Sequence, residues 1–369
     1  MHSHIYKGKQ MSNENFVATE ASKNWRNRPA DERFESIEAL QESVLNRQKK
    51  SREVTLSNKG LKVIQSGADE LSIEGDIAPA VPSHWAFGQL SLNVGAPAGY
   101  LRKLPTELAA NCLNHSIQAA PEKQVKLMTH GSDDVITAQA ITGKDYGRIW
   151  DADVVAATKG VIDGLGGKFY PPKEWGGKTS GLFASDRDVF MFFVDGGSIV
   201  DGGGDRDQMH RGVYIWNSEV GSQTFGMASF LFRQVCGNLL VWGATDIKTL
   251  KIRHSKYAPE RFAEEAVGTL KEFGSASVAP FELSIKKAKA YKMADDVNEK
   301  IDFLMKYGFT KGEAKMGLEY AEKEEGHSSN LWNTINGITA YARSFAHVDA
   351  RIDIQTRAGK LLDRFTSAA

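Results

Sequence analysis

Cysteine is scarce in this chain: its 369 residues hold two, Cys112 and Cys236. Two thiols so far apart make neither a disulfide framework nor a zinc-finger spacing. They read as small buried hydrophobes in a reducing cytoplasm, which is the expected localisation. An excess of one charge is also missing, since 46 basic residues face 46 acidic ones. A balanced chain exerts no global pull on nucleic acid or acidic lipid, so phosphate binding has to come from a local patch. No apolar run reaches the roughly 18 residues of a membrane span, and no membrane partner is expected. The opening MHSHIYKGKQMSNENF lacks the apolar stretch of a signal peptide. Met11 is an alternative start, which makes His2 and His4 tail residues and not metal ligands.

Hydrolytic signatures are missing as well. There is no HExxH, GxSxG or paired cysteine–histidine motif. His84, His115, His130, His254, His327 and His347 are scattered, without a second ligand at metal spacing. No catalytic residue, cofactor or metal is expected. What is present is an ordinary globular composition, 41% hydrophobic and 25% charged. The length suits one large domain or two ordinary ones.

Residues 1–33 are polar and read as a mobile arm. Phe34, Ile37, Leu40, Val44 and Leu45 recur at helical spacing and predict a helix over 34–50. Strand-like runs follow at 52–56 and 61–64. Ala78–Pro82, with two prolines, reads as a linker or extended loop. Ser83 is an N-cap residue, and Pro97 and Pro105 open further helical turns, so 83–116 is a compact helical insert. Val125–Thr129 and Val135–Thr142, joined through Gly131-Ser132-Asp133-Asp134, carry a hairpin signal. A helix over 151–163 ends at glycines. Strand candidates follow at 168–170, 180–184, 189–194 and 212–216. A helix is predicted across Ala228–Cys236, then strands at 239–242 and 249–254. From Pro259 onward the pattern is helical, and Thr310 with Glu313 forms a capping-box pattern. The expected fold is α+β: an arm (1–33), a mixed or antiparallel sheet body with a helical insert (34–258), and an all-helical region (259–369).

The most distinctive stretch is Trp216-Asn217-Ser218-Glu219-Val220-Gly221-Ser222-Gln223-Thr224-Phe225-Gly226, continuing through Phe230–Asn238 and Val241–Ala244 to Ile252-Arg253-His254. Earlier words accompany it: His84-Trp85-Ala86-Phe87-Gly88-Gln89-Leu90, Gly95-Ala96-Pro97, Tyr146-Gly147-Arg148-Ile149-Trp150 and Gly181–Asp186. Together, over roughly 34–365, they resemble the domain of unknown function 932 family, also described as phage- and plasmid-like proteins. The resemblance implies a mobile-element setting and carries over no active site. A more distant similarity to phage single-strand annealing proteins implies a helix packed on a bent sheet of hairpins, with DNA along a basic groove. The order hairpin, helix, strands, helix over 124–258 is compatible with it.

Within 248–261, Lys248, Lys251, Arg253, Lys256 and Arg261 stand against Glu260 alone. On a strand over 249–254, Lys251 and Arg253 share one face, while His254 joins Leu250 and Ile252 on the other. Such a row tracks a phosphate backbone, or is a solvated rim that discourages edge pairing. Trp216, Trp242, Tyr146 and Trp150 are stacking candidates for bases, or core. Asn217, Ser218, Glu219, Arg233 and Asn238 bracket an apolar run. On a helix from Ala228, Arg233 is partly buried with Glu219 as its partner; otherwise it is free to grip a phosphate or carboxylate bidentately. The glycine- and aspartate-rich Asp195–Asp207, bordered by His210 and Arg211, fails the EF-hand register and reads as a hairpin loop. Asp186 and Asp188 point to one side if extended, as a nuclease metal pair would, but no third carboxylate or lysine accompanies them.

The leading expectation is a non-enzymatic DNA-handling protein that binds or anneals single strands in recombination. Its contact residues are Lys248, Lys251, Arg253, Lys256, Arg233, Trp216 and Asn217. Homo-oligomerisation through the C-terminal helices would extend the groove. Three other readings stay open. One is an anti-host-defence factor that binds a host or phage protein through the helical region. Another is a metal-dependent nuclease built on Asp186, Asp188 and the aspartate loop. The last is a virion component.

Overall fold

Strand and helix periodicities sort the chain into two sheets and a bundle. A computed structural model describes residues 30–132, 135–166, 168–171, 181–201, 208–233, 238–240, 250–275, 277, 279–342, 344, 354, 357–362 and 364. Strand β1 (Arg33–Phe34) precedes helix α1 (Ile37–Lys50), whose N-cap Ser36 accepts from the Ala39 N–H. Strands β2 (Ser51–Ser57), β3 (Lys62–Gln65), β4 (Leu71–Gly75) and β5 (Ile77–Pro82) follow. Helices α2 (His84–Asn93), α3 (Ala98–Leu101) and α4 (Thr106–Gln118) form the expected insert, with Ser83 capping the first. The hairpin β6 (Gln124–Ser132) and β7 (Val135–Gly143) leads to helix α5 (Asp151–Gly164).

Then come β8 (Phe169–Tyr170), β9 (Leu182–Ala184), β10 (Val189–Asp201), β11 (Gln208–Asn217), β12 (Phe225–Arg233), β13 (Asn238–Leu240) and β14 (Leu250–Ile252). The last part is helical: α6 (Ala258–Ser275), α7 (Ala279–Ala290), α8 (Val297–Lys306), α9 (Lys311–Glu325) and α10 (Leu331–Ala342). The capping box of Thr310 and Glu313 opens α9.

The first sheet runs β2-β6-β7-β5-β4-β3 and is antiparallel except where β5 pairs parallel with β7. The linker expected at Ala78–Pro82 is therefore strand β5. Pro79 is tolerated because Ile73 pairs with Ala80 and Gly75 with Ile77, which leaves Ala78 and Pro79 together opposite Glu74, while Pro82 is the last residue of the strand. That extra residue is a bulge, where proline need not donate to the ladder. Helices α2 and α4 cover this sheet, packing Phe87, Leu90, Leu113 and Ile117 onto Val63, Ile73, Val125 and Leu127.

The second sheet runs β1-β9-β10-β11-β12-β13, with β14 on β12 and β8 on β10. The helix expected over Ala228–Cys236 is strand β12 as far as Arg233, paired residue by residue with β11 from Trp216↔Gly226 to Met209↔Arg233. The misreading has a physical source. A short apolar run has no clear period when both faces of its strand are covered. In this sheet Met191, Phe193, Val213, Ile215, Phe225 and Met227 pack under α1, α5 and α6. On the alternate positions Phe192, Tyr214 and Trp216 stack with centroids 4.6 and 4.8 Å apart. Helix α6 contributes Phe262, Ala266, Leu270 and Phe273 to this core, whereas α7–α10 enclose a separate one around Trp332, Ile335 and Leu318.

Candidate functional site

The two sheets meet along a buried polar seam. Its centre is the turn after β11, where Gly221 has φ +81° and a Cβ would sit 3.3 Å from the Tyr146 ring. Only glycine takes that conformation without strain. The distinctive sequence words converge on this turn. The Trp85 indole and the Gln89 amide both donate to the Val220 carbonyl, at 3.0 and 2.8 Å. The Tyr146 hydroxyl donates to Ser218 O at 3.2 Å, and the Arg148 guanidinium donates to Glu219 O. Asn217, fully buried, donates to Ile149 O at 2.9 Å and to Asp151 Oδ1 at 2.7 Å.

Charges are paired inside the seam. Asp151, with no exposed surface, meets Arg47 Nη2 at 2.6 Å, and the same arginine meets Glu219 Oε1 at 3.2 Å. The other Glu219 oxygen accepts the Asp151 N–H at 3.1 Å, so a residue after β11 caps the start of α5. A carboxylate there also faces the positive end of the helix. On the far side Arg148 Nε donates to Glu53 at 2.6 Å, and Lys126 lies 3.4 Å from the other oxygen of that carboxylate. Burial first, and then the neighbouring Glu219 charge, push the Asp151 carboxyl well above the usual range. Burial alone would lower the Arg47 pKa, but Asp151, Glu219, Asp186 and Asp188 outweigh it and raise it. Three cations and three carboxylates in direct contact make this seam a lock between sheets.

One end of the seam opens to solvent. Tyr146 stacks with His254, centroids 5.0 Å apart, and His254 lines an open cleft of about 650 Å³. The His254 Nδ1 lies 3.1 Å from the Gly147 carbonyl, and its Nε2 is buried without a partner. The Ile149 N–H also approaches Nδ1, at 3.5 Å, and burial lowers the His254 pKa to about 4, so the ring is neutral. Lys123, Lys144 and Arg253 also line the cleft, with Glu122 and Asp145 between them. The chain turns away at Lys256 and Tyr257, both exposed, with the ammonium 5.3 Å from the ring centroid.

The sequence model of the family described as "Domain of unknown function (DUF932)" matches residues 141–366. The chain belongs to that family. No curated protein and no solved structure matches it. The DUF932 match begins inside β7. It therefore contains Arg148, Asp151, Asn217, Glu219, Val220 and His254, whereas Arg47, Glu53 and Gln89, which bond to Asp151 and Glu219, to Arg148 and to Val220, precede it.

Across this DUF932 chain the expected contact residues separate into distinct settings. Arg253 and Lys256 are exposed, Arg253 in the cleft wall. Lys251 is half-buried on β14 opposite Gly226, and burial lowers its pKa. Trp216 and Asn217 are 2% and 0% exposed: the tryptophan ring lies against Tyr214 and Gly226, and the asparagine belongs to the seam. Neither surface is open to a base. Arg233 ends β12 opposite Met209, at the other end of β11 from Glu219 and about 25 Å of strand away. The expected Arg233–Glu219 pair is replaced by Arg47–Glu219. Lys248 and Trp242 lie outside the described residues, as do 202–207 of the aspartate-rich loop. Asp195 stands within β10 and is bound at 2.8 Å by buried Arg211. Asp186 and Asp188 sit in a tight turn, not on an extended strand, and Asp188 accepts from the Ser185 hydroxyl at 2.9 Å. Among the described residues, no three His, Cys, Asp or Glu side chains converge as a metal site requires.

Arg47, Glu53 and Asp151 had no signal of their own in the sequence. Each is an ordinary charge with a partner far along the chain, such as Arg47 and Asp151, 104 residues apart, or Asp151 and Asn217, 66 apart.

Proposed function

We propose that the chain binds single-stranded DNA without transforming it, as a strand-handling or annealing protein of a mobile element. The observation that carries this reading is the exposed turn from Arg253 to Tyr257. It brings two cations and an accessible aromatic ring together beside a cleft that adds Lys123 and Lys144. Single-strand binders combine the same two elements, cations for the backbone and aromatic faces for the bases. The neutral net charge of the chain makes such a local cluster the only electrostatic means available. Exposed Leu283, Val297 and Met305 on α7 and α8 supply apolar surface through which copies would associate.

A mobility-shift titration with single- and double-stranded oligonucleotides at two salt concentrations, with and without magnesium, tests the reading. Preferential single-strand binding that weakens as salt rises is expected. Binding indifferent to salt sinks it. Magnesium-dependent cleavage that stops in chelator replaces it with the nuclease reading. Silence toward DNA together with a co-purifying protein replaces it with an interaction factor.

A further inference from the structure

We infer that the cleft receives one unstacked nucleotide of the bound strand and favours a base carrying an exocyclic amino group. The inference rests on the single-strand reading above. Its basis is the mixed sign of the lining. A groove that merely tracks a phosphate backbone needs cations, and carboxylates in its wall repel the passing chain. Here Glu122 adjoins Lys123 at the entry to β6, and Asp145 adjoins Lys144 just after β7. The two strands are antiparallel neighbours, with Val125 opposite Gly143, so the register brings both acid–base pairs to one mouth. Arg253 faces them from the turn after β14.

A ligand suited to this wall carries a phosphate for Lys144 and Arg253 and a donor edge for Glu122 and Asp145, while the Lys123 ammonium donates to the Asn93 carbonyl beside it. A nucleotide with an amino-bearing base has both. Carboxylates accept from the cytosine N4 amino group, and thymine offers a carbonyl at that position. The His254 ring forms part of the same wall, with its Nε2 enclosed behind the surface. The volume, about 650 Å³, falls within the roughly 300–1,000 Å³ of small-molecule sites and leaves room for one base with its sugar and phosphate.

Fluorescence anisotropy with labelled oligothymidylate, unmodified or carrying one central deoxycytidine, tests the inference, with free deoxycytidine monophosphate as a separate probe. One cytosine is expected to tighten binding about tenfold. The double variant Glu122→Gln, Asp145→Asn is expected to lose that ratio while still binding oligothymidylate, whose affinity rises with the added net charge. The ratio is the readout, since a uniform electrostatic gain cancels in it, and circular dichroism confirms that the variant folds. Oligothymidylate binding with no cytosine preference overturns this inference and leaves the single-strand reading standing. So does a preference that persists in the double variant. Failure to bind either an oligonucleotide or deoxycytidine monophosphate at low salt overturns both. Saturable deoxycytidine monophosphate binding, lost in the double variant, in a protein that ignores oligonucleotides supports the cleft as a nucleotide site and overturns the strand-binding reading.

Discussion

The seam and the cleft share Tyr146 and His254, yet their charges behave in opposite ways. In the seam, Arg47, Asp151, Glu219, Arg148 and Glu53 contact one another at 2.6 to 3.2 Å, with Asp151, Glu219 and Arg148 buried and Arg47 and Glu53 reaching the surface at its rims. In the cleft, Lys123, Lys144, Asp145 and Arg253 stand at the surface. Charges that satisfy one another hold a fold together and have little left for a ligand. Charges facing an open volume contribute little stability and remain available. A charged word that looks distinctive in a sequence can belong to either setting, and the seam shows that the most distinctive words here belong to the first.

Breaking the seam gives the largest expected effect. Arg47→Met leaves Asp151 and Glu219 buried side by side without their shared cation, and a loss of about 3–5 kcal/mol is expected in urea unfolding. Adding Asp151→Asn removes one of the opposed charges and should recover part of that loss. A double-mutant cycle that is strictly additive would show that the two side chains do not act as a pair.

Where seam and cleft touch, the backbone leaves no slack. A Cβ at Gly147 would lie 2.1 Å from the Ser255 carbonyl oxygen and 3.0 Å from Pro259 Cδ. Gly147→Ala therefore has to push the turn from Arg253 to Pro259 outward. Overpacking of this kind costs about 1–3 kcal/mol, and oligonucleotide affinity should fall with it. Unchanged stability and unchanged binding would mean that the turn is not held against the seam.

How much of this was legible follows the same division. Local signals were sound: the Ser83 cap, the 125–142 hairpin and the Thr310–Glu313 box appear where local spacing places them. They depend on residues within a few positions of one another. Arg253 and Lys256 were visible because an exposed cluster is contiguous in sequence. The seam was not, because Asn217 next to Trp216 looks like a polar bracket until the fold brings Asp151 to it. β12 was misread for a related reason. Phe225, Gly226, Met227 and Ala228 are buried in succession, so its opening shows no period, and Arg233 then acquired a partner that the strand holds far away.

The shared His254 gives a pH effect of intermediate size. Its folded pKa, about 4, lies below the ordinary 6.5 because burial disfavours the cation. The unfolded chain therefore binds more protons between those values, so stability rises with pH across the window and is lost as pH falls from 6.5 toward 4. At pH 5.5 this one residue should remove about 1.2 kcal/mol relative to neutral pH. His254→Asn cannot titrate there. Urea midpoints of wild type and variant at pH 7 and 5.5 should show a smaller decline in the variant, and equal declines would mean that the histidine titrates normally.

The smallest effect on stability should come from the cleft side. Arg253 and Lys256 are exposed, so Arg253→Ala and Lys256→Ala should each leave the unfolding midpoint within about 0.5 kcal/mol of wild type. Their effect belongs to binding. Each cation that contacts a phosphate releases a counterion, so each substitution should lower the slope of log affinity against log salt by about 0.7 for a single strand. Arg253, inside the cleft wall, should also reduce the cytosine preference, whereas Lys256, outside it, should weaken all sequences alike. If both variants fall equally on every sequence, the cleft contributes charge but no recognition. If the slope does not change in either, the exposed cations are a solvated rim and the contrast with the seam reduces to exposure alone.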